Sequence, residues 1–149
     1  MAEPTTTAQR VFDIAMGLMD EVNETSGATD TSDTKEYKVR TLLILNALRG
    51  ELYPYSDTYA MEEAGKRPIL HVIQNFTDII MMDDYICQTV MPYGLAAQLL
   101  LDENPTAASF FQQRYEELRN SLARGLPQGS EAITDLYGIG FEHNHFSRW

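Results

Sequence analysis

The chain is predicted to be all-α: a small bundle of about four helices with a long tyrosine-rich loop and an extended C-terminal arm. Three observations lead there. Apolar residues recur at helical spacing in four separate stretches. Helix-capping residues stand at the start of several of these stretches. The last 24 of the 149 residues carry many apolar side chains but no helical repeat. A chain of this length with 44% hydrophobic residues fits one domain with one modest core. The boundary falls after residue 125, giving a helical core, 1–125, and an arm, 126–149.

Residues 1–5 should fray. The first helix is expected from Thr6 or Thr7 to about Val22, because Val11, Ile14, Ala15, Leu18 and Val22 repeat at helical spacing. The polar run 23–30, with Thr25, Ser26, Gly27 and Thr29, reads as a turn. Asp33 and Glu36 form a capping-box-like pair that should start the second helix. Tyr37, Thr41, Ile44, Leu45, Leu48 and Leu52 share one face of it, and Val39, Leu42 and Leu43 broaden that face. A helix apolar over so much of its girth is usually packed on two sides, so 34–52 is expected to be the central helix. Lys35, Lys38, Arg40 and Arg49 make it the most basic element. They fit either a solvated face or a contact to an acidic neighbouring subunit.

Residues 53–68 hold three tyrosines and two prolines in a loop of ~15 residues, a length that is usually functional or disordered. Tyr53, Tyr55 and Tyr59 could meet a partner, as interface tyrosines do, or fold back onto the core. Residues 69–74 read as a short strand or extended linker. Asp83 can cap a third helix, with Asp84 adding favourable charge to its first turn. Pro92 should kink that helix or break it in two, and Gly94 permits a close approach.

Residues 91–122 form the most informative segment: MPYGLAAQLLLDENPTAASFFQQRYEELRNSL. The apolar run Leu95–Leu101 stops at Asp102-Glu103-Asn104-Pro105. Asn104 can cap a helix beginning at Pro105, where a missing N–H costs nothing. Phe111, Tyr115, Leu118 and Leu122 then line one face, and Gly125 can end the helix.

This segment resembles the head–tail connector (adaptor) proteins of tailed bacteriophages, especially those of Firmicutes siphophages. In that family a PYGLAA-LL-DE(D/N)P turn precedes an F-(N/Q)QRYEEL helix. The family also tends to end in a Tyr-Gly-Gly-Ile-like turn and a final Arg-Trp; here Tyr137-Gly138-Ile139-Gly140 and Arg148-Trp149 stand there. The order of Ile and Gly departs from the family pattern, and loop 53–68 is longer than expected. The resemblance implies a small helical virion protein that forms a ring on the portal protein and meets tail-side connector proteins. DNA would pass nearby without specific binding. The arm would supply contacts through Tyr137, Ile139, Phe141, Phe146, Arg148 and Trp149. The residues themselves leave open whether the arm folds back onto the helices or docks in a partner's groove.

The net charge of −11 argues against a surface built to neutralise phosphates. No apolar run approaches the ~20 residues of a membrane span, and the N-terminus lacks the pattern of a signal peptide. Cys87 is the only cysteine, lies in an apolar stretch and reads as a buried structural residue. Phosphate-loop, dinucleotide-binding, nucleophile-elbow and Cys-x-x-Cys motifs are missing, so no enzyme and no cofactor are expected. His143 and His145 would share a face of a strand, but one flexible tail makes a weak metal site. A small-molecule or metal-binding helical bundle is the alternative reading. The adjacent carboxylates Asp83-Asp84, Asp102-Glu103, Glu62-Glu63 and Glu116-Glu117 diverge by about 100° on a helix and cannot act as an acid–base dyad.

Overall fold

The structure, a computed structural model, describes residues 3–21, 24–56 and 69–125. Among these residues the fold is a bundle of four α-helices without β-strands: α1 (Ala8–Leu18), α2 (Lys35–Leu52), α3 (Met91–Leu100) and α4 (Pro105–Gly125). The expected arm 126–149 and most of the tyrosine-rich loop lie outside the described residues.

Helix α1 opens at Thr7, whose hydroxyl accepts from the Arg10 N–H at 3.2 Å. It ends about a turn earlier than its apolar spacing predicts. Asp20 sits in the left-handed region at φ 61°, and the Glu21 and Asp20 N–H groups donate back to the Met16 and Gly17 carbonyls. That pair of bonds closes a helix, here with Asp in place of the usual Gly. Helix α2 starts without the expected capping box. Thr34 occupies the cap position, and its hydroxyl donates to the Thr29 carbonyl at 2.6 Å, tying the preceding turn instead.

The helix changes character at Pro92, which stands in the first turn of α3. One π-helical turn, Ile86–Val90, leads into α3, and the Met91 N–H donates to the Ile86 carbonyl five residues back. A wider turn at this point accommodates a ring that would otherwise collide with the carbonyl four residues earlier. Asn104 then caps α4 as expected, its side-chain oxygen accepting from the Ala107 N–H at 3.2 Å.

The centre of the bundle is α3, not α2. It packs against α1, α2 and α4, and eight of its ten residues are buried. Gly94 is the point of closest approach. A Cβ there would lie 2.8 Å from Leu48 Cδ2 and 3.0 Å from the Tyr115 ring. In α2 the buried stripe is Tyr37, Thr41, Leu45, Leu48, Arg49 and Leu52, whereas Val39 and Leu43 are 79% and 77% exposed. The wide apolar girth of α2 therefore leaves an uncovered ridge where two-sided burial was expected.

Two buried tyrosines tie the helices. The Tyr37 hydroxyl of α2 donates to Glu103 in the α3–α4 turn, and the Tyr115 hydroxyl of α4 donates to Glu51 of α2 at 2.7 Å. Burial first, and then the carboxylate neighbour, pushes both phenols above their ordinary pKa. The N-terminal segment is clamped from two sides. Ala8 N–H and Ile80 N–H pair with the Asp78 and Thr6 carbonyls around an antiparallel bridge between Thr7 and Ile79. The Asp84 carboxylate accepts four hydrogen bonds, 2.7–2.9 Å long, from the backbone N–H and hydroxyl groups of Thr5 and Thr6.

Gly94→Ala sets an overpacking cost of about 1–3 kcal/mol against the roughly 1 kcal/mol that alanine gains over glycine in a helix. Tyr115 cannot yield freely, because its hydroxyl is held by Glu51 and the Arg119 guanidinium lies 5.4 Å from its ring centroid. The variant should lose about 1 kcal/mol in equilibrium denaturation, and Gly94→Val more. An Ala variant as stable as the parent would show that α2 and α4 have room to part.

Asp84 gives a pH prediction. The Thr5 N–H, followed by the hydroxyls of Thr6 and Thr5, lowers its carboxyl to about 2. The unfolded value is about 3.9, so its stabilisation is complete above that pH and is lost as pH falls towards 2. Asp84→Asn should be less stable than the parent at pH 7, with the gap closing between pH 4 and 2. A gap that stays constant over this range would remove Asp84 as the anchor.

Candidate partner-binding surface

Residues 69–81 build an open groove beside α2. The first wall, 69–73, has neither helix nor strand. Asn46 of α2 holds it at both polar groups of Ile73, accepting from the N–H at 2.9 Å and donating to the carbonyl at 3.1 Å. The buried Arg49 guanidinium donates to the His71 carbonyl. Helix α2 thus takes up backbone groups of residues 71 and 73. Leu70 and Val72 have no backbone hydrogen-bond partner among the described residues.

A turn forms the end of the groove, with Asp78 Oδ2 accepting from the N–H groups of Gln74 and Asn75. These two bonds hold the Asp78 carboxyl below its ordinary pKa. The second wall, 77–81, is fixed on its far side by the bridge to Thr7. The groove has a volume of about 540 Å³. Ile69 and Val72 are 87% and 67% exposed along it, and Ile79 and Met81 are each 45% exposed. Four apolar side chains left in water along one groove form an exposed apolar patch, the kind of surface that suits a partner. The backbone groups of 70 and 72, unpaired among the described residues, are of the kind that an added peptide could use.

Of the residues that the sequence singles out for partners, Tyr53 and Tyr55 lie in a 3₁₀ turn, Tyr53–Tyr55, directly after α2. Both are half-buried against the core cluster. Tyr59, Tyr137, Ile139, Phe141, Phe146, Arg148 and Trp149 lie outside the described residues, as do His143 and His145. The groove residues were not among the sequence candidates. Their signal was the aliphatic run Ile69-Leu70-His71-Val72-Ile73, interrupted only by His71, in a stretch with no helical repeat, a pattern that fits a buried strand equally well.

The basic residues of α2 follow neither expectation fully. Lys38 pairs with Asp30 at 2.7 Å and lies 4.6 Å from the Phe76 ring centroid. Arg40 donates to the Leu99 carbonyl near the end of α3, and Arg49 holds the groove wall. Lys35 is exposed. Cys87 is fully buried, and burial pushes its thiol up to about 12. Among the described residues no group of three His, Cys, Asp or Glu side chains is placed to hold a metal, and no helix is long and apolar enough to cross a membrane. Comparison with family models, with curated proteins and with solved structures returns no match.

Asn46→Ala would leave both polar groups of Ile73 without their side-chain partner. A loss of about 1–3 kcal/mol is expected from such an orphaned pair. Amide exchange at Ile73 and proteolysis within residues 69–75 should both accelerate while the α3 and α4 amides stay protected. Unchanged exchange at Ile73 would mean the wall is held by something other than α2.

Proposed function

We propose that this chain is a structural assembly protein of a tailed bacteriophage, a connector that packs in several copies on the portal protein and joins head to tail. One observation carries the reading. The residues that bear the resemblance to adaptor proteins are those on which the packing depends. Pro92 and Gly94 set the course and approach of α3, Asn104 caps α4, and Phe111 and Tyr115 fill the space between the helices. A motif made of packing residues implies a shared shape, and a shape suits a protein whose task is to fit against others.

The exposed apolar surfaces support the same reading. Ile69, Val72, Ile79 and Met81 offer a portal or tail-side protein a groove with an open backbone edge. The net charge of −11 suits a protein beside passing DNA, since acidic walls repel phosphates and leave no sticking point. The role needs no cofactor, and its place is the head–tail joint of the virion.

Deleting the gene from the phage or prophage that carries it, then imaging the induced lysate by negative-stain electron microscopy, tests the proposal. Heads and detached tails side by side are expected. Normal infectious particles would end the connector reading.

A further inference from the structure

The exposed ridge of α2 and a second groove, between α3 and α4, are complementary in shape and in charge. Val39 and Leu43 are two of the most exposed aliphatic side chains among the described residues and stand one helical turn apart. Lys35 precedes them on the same stripe and makes no ion pair among the described residues. The α3–α4 groove has a volume of about 370 Å³. Its floor is Ala97 and Ala108, both buried, and its walls include Leu101, Gln112 and Glu116. Leu101 is 59% exposed there. Along α4 the stripe Ala108, Gln112, Glu116 has the same one-turn spacing as Lys35, Val39, Leu43 on α2.

We infer that the α2 ridge of one copy seats in the α3–α4 groove of a second copy, running antiparallel to its α4. This inference deepens the connector reading and rests on it, since that reading requires copies to pack side by side. In the antiparallel register Leu43 meets Ala108, Val39 meets Gln112 and Lys35 meets Glu116. The largest knob falls on the smallest floor residue, and the uncommitted cation falls on a carboxylate. Glu116 Oε1 accepts from Gln112 at 3.1 Å, and its second oxygen has no partner on its own chain among the described residues. The charge pair fixes register and orientation more than strength, because an exposed ion pair contributes little. A convex ridge filled by a concave groove on another part of the surface makes a head-to-tail contact. Such a contact repeats from copy to copy, whereas two ridges meeting face to face would stop at a dimer.

Disulfide trapping tests the contact on the purified full chain. Val39→Cys and Gln112→Cys are prepared separately, mixed at about 1 mM chain, the weak end of specific association, and oxidised. The native Cys87 is fully buried and does not compete. A cross-linked species containing one of each variant is the expected product. Val39→Cys cross-linked to itself would replace the proposal with a symmetric ridge-to-ridge dimer, and no cross-link in the mixture would overturn it. As a check on register, Lys35→Glu and Glu116→Lys should each cut the trapping yield several-fold, and combining them should restore it. If deleting the gene uncouples heads from tails while no 39–112 bond forms, the connector reading stands and this contact falls. If the bond forms and deletion is harmless, the contact stands without that role.

Discussion

Helix α3 is short, and three other helices need its surface at once. Ten residues must serve α1, α2 and α4, which leaves almost none of them for water. Only small side chains let that many neighbours come close. Gly94, Ala96 and Ala97 supply them in the middle of the helix, and Gly94 has no space for even one methyl group beside Leu48 and Tyr115. The price is local: glycine weakens a helix interior, and Pro92 removes a backbone donor two residues earlier. A π turn before the proline and close packing on all sides hold the helix in place despite both.

Polar ties then fix what the apolar core leaves loose, and each one bridges distant parts of the chain. Asp84 binds Thr5 and Thr6 across 79 and 78 residues of sequence. Tyr37 reaches Glu103 and Tyr115 reaches Glu51, so α2 is tied both to the α3–α4 turn and to α4. Asn46 and Arg49 fix a segment that has no helix or strand of its own. Each of these polar groups has a partner, which is the condition for placing it near a core without loss. Their common effect is specificity: the apolar surfaces alone would allow the helices to slide, and these pairs select one register.

How much of this was legible depends on whether a signal was local. The Asn104–Pro105 start of α4 was, because a cap and the first turn are a few residues apart. The early end of α1 was not, since Asp20 adopts a left-handed conformation that sequence associates with Gly or Asn. The Asp33–Glu36 box did not form: Thr34 takes the cap position, and its hydroxyl donates back to the Thr29 carbonyl and accepts no N–H of the first helical turn. The rank of α2 was misread for a physical reason. Apolar girth shows that a helix has faces to cover, but not whether its own chain covers them. Val39 and Leu43 read as core in sequence and stand in water in the fold. The groove at 69–81 was hidden for the opposite reason. Its residues look like a strand in sequence, but in the fold they form no strand and are held as one wall of a groove by side chains of α2, far away in sequence.

The charge of the chain and its exposed apolar faces act against each other, and that opposition bears on assembly. Copies that each carry −11 repel one another at long range, and salt weakens that repulsion. Three of the four cations of α2 are engaged within the chain: Lys38 with Asp30, Arg40 with the end of α3, and Arg49 with the groove wall. All three already count in the net charge, and contacts that hold the fold fix where they stand. Lys35 lies on the ridge side of α2, next to Val39. In the proposed contact attraction is therefore confined to short-range apolar burial and one guiding charge pair. At a net charge of −11 the long-range repulsion disfavours random aggregation of this aliphatic-faced protein, so association rests on the short-range fit of particular faces.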